Sequence, residues 1–190
     1  ISGHASFSGV FPYRLLNSPT VFLTTSSTLS YDILALMSIM KDVPSVDQRL
    51  ATARERLDRE GWSLVVITSG GVAHVSRQRG VVPLLDIVEK AGEGLRDAVL
   101  ADKVVGRAAA MLVVGAGFCR VYARVLSMPA REVLEKAGIP AEWERLVPGI
   151  RNRTDDGSCP MEALTLDVTD PQEALAKLRK ALGRDESRGS

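Results

Sequence analysis

The chain has 190 residues, with 24 Lys and Arg against 23 Asp and Glu, and this length suits one domain with a substantial core. A net charge of +1 gives no support for a nucleic-acid partner, and no apolar run reaches the roughly 18–20 residues that a membrane helix needs. Two cysteines exclude a disulfide scaffold and indicate a reducing, cytoplasmic location.

The first 40 residues differ in composition from the rest of the chain. They hold only two charged residues, Arg14 and Asp32, and they carry twelve Ser or Thr. They have no steady helical or strand period, and they lack the basic start and continuous apolar stretch of a secretory signal. We therefore expect a low-charge extension over residues 1–40 that is disordered or not native. A single domain over 41–182 and a disordered tail over 183–190 should follow.

From Ser45 the pattern predicts a helix, a hairpin and a second helix. Ser45 and Gln48 form a capping box, and Gly61 fits the end of the helix that follows. The runs WSLVVI and VAHVS, joined by TSGG, predict two antiparallel strands. PLLDIVEKAG then predicts a helix that begins at Pro83 and ends at Gly92.

The stretch LADKVVGRAAAML, residues 100–112, is mostly small and apolar and predicts a buried helix. Asp102 suits the first turn of such a helix, whereas Lys103 opposes the helix dipole at a cost of about 0.3–1 kcal/mol. We predict that both line a pocket, where Lys103 binds an anionic or polar group and Asp102 orients the ligand. In the alternative interpretation, Asp102 only caps the helix and Lys103 reaches solvent.

The second half of the chain alternates strands and helices. CRVYARVLS and PAEWERLV predict strands on either side of the helix MPAREVLEKAG. A polar loop from Pro148 leads to a helical turn at CPMEAL, a short strand at TLDV and a last helix capped by Asp170. This order predicts an α/β fold, a three-layer α/β/α sandwich around a mixed central sheet.

Two more features carry groups that could react or bind. Cys159 precedes Pro160 at a predicted helix start, where a thiol can become a nucleophile; otherwise it is a small buried residue that anchors the loop. Asn152, Arg153 and Glu162 lie in or beside the polar loop, which suits a phosphate or carboxylate ligand or is simply a solvated surface. No His or Cys residues stand at metal-ligand spacing, so we expect no metal and no cofactor.

Three segments in order, ADKVVGRAAAML, VYARVLSMPAREVLEKAGI and NRTDDGSCPMEAL, resemble a bacterial family of domains of unknown function with a cytidine-deaminase-like fold. The resemblance runs from about Arg59 to Leu182 and implies a mixed sheet flanked by helices. In the zinc enzymes of that superfamily, a His-Ala-Glu motif opens one buried helix and a Pro-Cys-x-x-Cys motif opens the next.

In this sequence the resemblance aligns the first motif with residues 101–103, ADK, and the second with residues 129–133, PAREV. Ala130 and Val133 take the places of the cysteines. The resemblance therefore implies a zinc-free domain and argues against hydrolytic deamination by the usual route.

These observations predict a domain that binds a small polar molecule, nucleobase- or nucleotide-like. The predicted site comprises Asp102, Lys103, Ser127, Asn152, Arg153 and Glu162. Two alternatives stay open: a non-catalytic module for oligomerisation or protein interaction, and a thiol enzyme that uses Cys159. A homo-oligomer is compatible with the pattern, whereas neither nucleic acid nor a membrane is an expected partner.

Overall fold

The computed structural model describes residues 44–152, 154 and 156–184. Within this part of the chain the strands are β1 (Leu64–Ile67), β2 (Ala73–Ser76), β3 (Val99–Val105), β4 (Arg120–Ser127) and β5 (Ala141–Val147). The α-helices are α1 (Val46–Arg59), α2 (Val82–Ala91), α3 (Arg107–Gly115), α4 (Met128–Lys136), α5 (Pro160–Leu164) and α6 (Pro171–Ala181). None of the described helices has the length and apolar character needed to cross a membrane.

Local chemistry sets where the helices begin. The predicted capping box opens α1, because the Gln48 N–H donates to Ser45 Oγ at 3.2 Å and the Ser45 N–H donates to Gln48 Oε1 at 2.8 Å. Ser127 caps α4 by accepting from the Ala130 N–H at 3.2 Å, and the Asp170 side chain caps α6. These side chains satisfy N–H groups that a helix start would otherwise leave free.

The strands form one sheet in the order β2-β1-β3-β4-β5. β1 runs antiparallel to β2 and β3, whereas β3, β4 and β5 are parallel to one another. In the central strand, Asp102 lies opposite Leu64 of β1 and Ala123 of β4. The mixed sheet, antiparallel at the hairpin and parallel at the crossovers, confirms the predicted arrangement.

The helices form two layers with the sheet between them. On one face, Leu50, Ala53 and Leu57 of α1 pack against β1, β3 and Tyr122 of β4. On the other face, the larger core joins buried residues of α2, α3, α4 and α6 to the sheet. The fold is therefore the predicted three-layer α/β/α sandwich.

The prediction of a helix over residues 100–112 was wrong in its first half. Residues 100–105 belong to β3, and α3 starts only at Arg107, after Gly106 as the N-cap. A central strand is buried on both faces, so its sequence is a continuous apolar run that resembles a buried helix. The predicted strand TLDV is also absent, because residues 165–167 form a turn after α5.

The two ends of the chain differ in how far the structure describes them. The predicted extension over residues 1–40 lies outside the described residues, as do residues 185–190 of the predicted tail. The first residues of that tail need a correction, because Arg184 forms ion pairs with Asp86 at 2.6 Å and with Glu89 at 3.0 Å. These contacts join the end of α6 to α2.

Candidate functional site

Asp102 and Lys103 lie on opposite faces of β3, because successive side chains of a strand alternate. Asp102 shares a face with Leu100, which belongs to the core beneath α3, whereas Lys103 shares a face with Ala101 beneath α1. The Lys103 ammonium donates to the Gly61 carbonyl at 3.4 Å, at the end of α1. The two side chains therefore do not form the joint pocket that the sequence predicted, and the dipole argument for Lys103 fails.

A cavity of about 470 Å³ lies beside the carboxyl end of β3 and the start of α3. Its apolar walls are Val81, Val82, Leu84, Val104, Ala108, Ala109, Ile150, Met161 and Leu182. Its polar groups are Asp102, Glu162, Asn152, Cys159, Arg79 and Arg151. A mainly apolar cavity of this size with a few convergent polar groups is the usual form of a small-molecule site.

Asp102 lines the cavity and is a buried acid with a raised pKa. Its side chain is 8% exposed, and burial raises its pKa from 3.8 to about 7. The N–H groups of Val104 and Lys103 and the Lys103 charge act in the opposite direction; Val104 donates to Asp102 Oδ1 at 2.9 Å. Near neutral pH the carboxyl is thus present in both forms, and it can donate or accept a hydrogen bond.

Glu162, also buried, joins three parts of the chain through its carboxylate. Oε1 accepts from the Arg107 N–H at the start of α3, at 3.2 Å, and from the Ser127 hydroxyl that caps α4. Oε2 accepts from the Ile150 N–H in the segment after β5. A carboxyl group that accepts three hydrogen bonds suits this burial, since a buried polar group is tolerated when it is hydrogen-bonded.

Close packing around Glu162 leaves little room for a side chain at Gly106, because its neighbours would have to move by a few tenths of an ångström. A Cβ there would lie 3.0 Å from Ile150 Cγ1 and 3.4 Å from Glu162 Oε1. The Arg107 guanidinium strengthens the same junction by donating to the carbonyls of Thr165 at 2.6 Å and Val168 at 2.7 Å. The segment that carries Glu162 is therefore fixed against α3 on both sides.

The loop after Ile150 closes on itself as a short hairpin. Asn152 Nδ2 donates to Asp156 Oδ1 at 2.6 Å, and the Asp156 N–H donates to Asn152 Oδ1 at 3.2 Å. Hydrogen bonds from Asn152 and then Thr154 lower the pKa of Asp156. The Asn152 amide thus has partners within the loop, although Asn152 also lines the cavity.

The structure brings most of the predicted site residues together. Asp102, Asn152, Cys159 and Glu162 line one cavity, and Ser127 reaches it only through its hydrogen bond to Glu162. Lys103 is not among its lining residues, and Arg153 lies outside the described part of the chain.

Sequence reasoning did not identify Arg79, which also lines the cavity. It lies in the short basic loop RQRG between β2 and α2. That loop was a usable signal, because a glycine-containing loop ahead of a helix is a common place for ligand-binding groups.

A second cavity, of about 500 Å³, lies at the other end of α3 and is a weaker candidate. Its charged residues are Glu93 and Arg96, which are exposed and pair with each other at 3.5 Å. It holds no buried carboxyl comparable to Asp102, and exposed ion pairs of this kind contribute little to stability.

The described residues contain no group of three or more His, Cys, Asp or Glu side chains that could hold a metal ion. Ala130 and Val133, which the resemblance aligned with zinc-binding cysteines, are buried in the core at the start of α4. The resemblance also aligned the His-Ala-Glu motif, which opens a helix, with residues 101–103. That alignment was wrong, because residues 101–103 lie in β3 and residues 106–108 open α3. Neither helix start offers a thiol or imidazole.

We expect the purified protein to contain far less than one zinc per chain, because the helix starts lack zinc ligands. Inductively coupled plasma mass spectrometry of protein purified without chelator measures this directly. One equivalent of zinc that withstands mild chelation would contradict the prediction.

The fold and the cavity define a class: a three-layer α/β/α domain with a ligand-sized cavity at the end of its central strand. Residues 52–182 match the family described as TM1506, domain of unknown function DUF1893. The chain belongs to this family. No curated protein matches the sequence.

The solved structures that are similar to this chain include the following two. A DUF1893 family protein (TM1506) from Thermotoga maritima has a TM-score of 0.64 and 23% identity, over 70% of this chain and 89% of that chain. NE0047, solved in complex with 2,6-diaminopurine, has a TM-score of 0.34 and 14% identity, over 77% of this chain and 86% of that chain. The first similarity supports the fold; the second is too low to support a fold or a ligand.

Proposed function

We propose that this chain binds a small polar molecule, nucleobase- or nucleotide-like, in the cavity beside Asp102, without zinc. The observation that carries the proposal is a buried carboxyl that faces a mainly apolar cavity of about 470 Å³. Burying such a group costs stability unless something pairs with it, and a ligand would supply that partner.

The chemistry of Asp102 favours a heterocycle with neighbouring donor and acceptor groups. Since its pKa is about 7, the carboxyl can accept from a ring N–H or amine and can donate to a ring nitrogen or carbonyl. The apolar walls, including Val104, Ile150 and Leu182, suit the faces of a flat ring. If a reaction occurs here, Asp102 is the residue placed to transfer a proton.

The two alternatives have less support. A pure assembly module would have this space filled by neighbouring side chains such as Met128 or Met161, but Met161 only lines the cavity and Met128 is 43% exposed. A thiol enzyme would use Cys159, which lines the cavity, but the described lining residues include no His or Lys to act as its base.

A thermal-shift screen of nucleobases, nucleosides and nucleotides tests the proposal. A compound at 100 times its Kd adds about 2.7 kcal/mol, which raises Tm by roughly 5–10 °C for a chain of this size. Asp102→Leu, which keeps much of the volume but removes both oxygens, should abolish the shift. Lys103→Met, at the neighbouring residue on the opposite face, should keep it. A library that shifts nothing, or a hit that Asp102→Leu retains, would contradict the proposal.

A further inference from the structure

We infer that the ligand carries a phosphate, which lies at the cavity mouth against Arg79, so that a nucleoside monophosphate binds in preference to the free nucleoside. This inference rests on the proposed function and specifies the chemical group at the other end of the ligand. It comes from the distribution of charge around the cavity: arginines at the exposed rim and carboxyl groups in the buried part.

Arg79 is an exposed cation with no partner among the described residues. It lines the cavity, yet it forms no ion pair, hydrogen bond or ring contact there. The arginine just before it in the same loop differs, because Arg77 stacks on the Trp62 ring at 3.8 Å and donates to the Glu60 carbonyl at 3.2 Å. The Arg79 guanidinium is thus available to an incoming anion.

A second guanidinium lines the same cavity from a separate segment. Arg151 follows Ile150 at the base of the loop hairpin and is exposed. Guanidinium groups match the geometry of phosphate oxygens and can bind them through paired N–H donors. Arg151 already has a partner of its own, so it adds positive charge to this rim while Arg79 is the guanidinium that binds the phosphate.

The buried part of the cavity is unsuited to an anion. Asp102 is negative above its pKa, and the Glu162 carboxylate already accepts from Arg107, Ser127 and Ile150. A phosphate placed there would be repelled and desolvated, whereas at the rim it keeps much of its hydration. The charges therefore orient the ligand with its polar ring toward Asp102 and its phosphate toward Arg79.

Isothermal titration calorimetry with matched pairs tests this orientation. The pairs are AMP with adenosine and CMP with cytidine, and inorganic phosphate is titrated alone. For the pair that binds, we expect the nucleotide to bind at least tenfold more tightly than the nucleoside. Arg79→Gln should weaken the affinity for the nucleotide about tenfold and leave the affinity for the nucleoside unchanged, as loss of one charged hydrogen bond predicts. Arg59→Gln, at an exposed arginine of α1, is the control and should change neither affinity.

The possible failures have different meanings. A nucleoside that binds as tightly as its nucleotide, or an Arg79→Gln effect equal for both, would overturn the phosphate inference alone. Inorganic phosphate that binds as tightly as the nucleotide would also overturn it, because the ring would then contribute nothing. If no member of either pair binds the wild-type chain, this inference fails, and the thermal-shift screen then decides whether the proposed function fails as well.

Discussion

Replacing Asp102 by Asn should stabilise the protein at pH 8 and do so much less at pH 5. The native pKa of Asp102 is about 7, well above its ordinary value of 3.8, because the carboxyl is buried. Asn keeps an oxygen that can accept from the Val104 N–H but cannot ionise. The variant therefore avoids the cost of a buried negative charge at alkaline pH.

The sign of this pH dependence of stability follows from proton binding. Between pH 3.8 and about 7, the folded chain holds a proton on Asp102 that the unfolded chain has released. This contribution to stability is fully present below pH 3.8 and is lost as the pH rises to about 7. From pH 5 to pH 8 the advantage of Asp102→Asn over wild type should grow by about 3 kcal/mol.

Urea denaturation of both proteins at pH 5 and pH 8 measures this difference, and groups common to both proteins cancel. Arg59→Gln serves as the control, because this exposed arginine of α1 pairs with Glu55 and does not act on the Asp102 carboxyl, so its stability difference from wild type should vary little with pH. A stability difference between Asp102→Asn and wild type that stays constant from pH 5 to pH 8 would mean that the Asp102 carboxyl titrates normally.

Replacing Glu162 by Ala should lower the free energy of unfolding by about 4 kcal/mol. The change leaves the N–H groups of Arg107 and Ile150 and the Ser127 hydroxyl without their acceptor, and each buried donor left unpaired costs about 1–3 kcal/mol. For a chain of this size, Tm should fall by roughly 8–16 °C. Glu162→Gln keeps one acceptor oxygen, so its Tm should lie between the Tm of wild type and that of Glu162→Ala.

Differential scanning calorimetry at pH 7 of wild type and the two Glu162 variants gives these values. Glu132→Ala removes an exposed carboxylate of α4 and should change Tm by less than about 2 °C. If Glu162→Ala melts within 3 °C of wild type, the carboxylate does not hold the segment after β5 against α3 and α4.

The two buried acids at this cavity have different environments. Glu162 accepts from two backbone N–H groups and a hydroxyl, so its carboxylate is part of the framework. Asp102 accepts from backbone N–H groups on its own strand and otherwise faces the cavity. A group whose charged form is costly in the free protein is a candidate for binding or proton transfer, because a ligand can compensate for that cost.

Most of the fold could be predicted from local sequence signals. The capping box at Ser45, the TSGG turn and the cap at Asp170 act within a few residues, so one sequence was enough to locate their helices and strands. The boundary at Gly106 could not be predicted this way. Burial on both faces gives β3 the same apolar composition as α3, and only the packed sheet separates them.

The candidate site could be predicted only in part, because it too depends on tertiary packing. Asp102 and Glu162 were both among the predicted site residues, but their convergence depends on the segment after β5 returning across α3. Lys103 was misplaced because a helix and a strand direct neighbouring side chains differently. Arg79 was overlooked because the composition of its loop indicates a place for ligand-binding groups, whereas only tertiary packing shows that the loop lines this cavity.

A carbon NMR titration of the Asp102 side-chain carboxyl, with and without the tightest-binding nucleotide, tests the central claim most directly. We predict a midpoint near pH 7 for the free protein and a displaced midpoint when the nucleotide is bound. A midpoint near 4, the ordinary value for an exposed Asp, or a midpoint that bound nucleotide leaves unchanged, would contradict Asp102 as the buried polar group that receives the ligand.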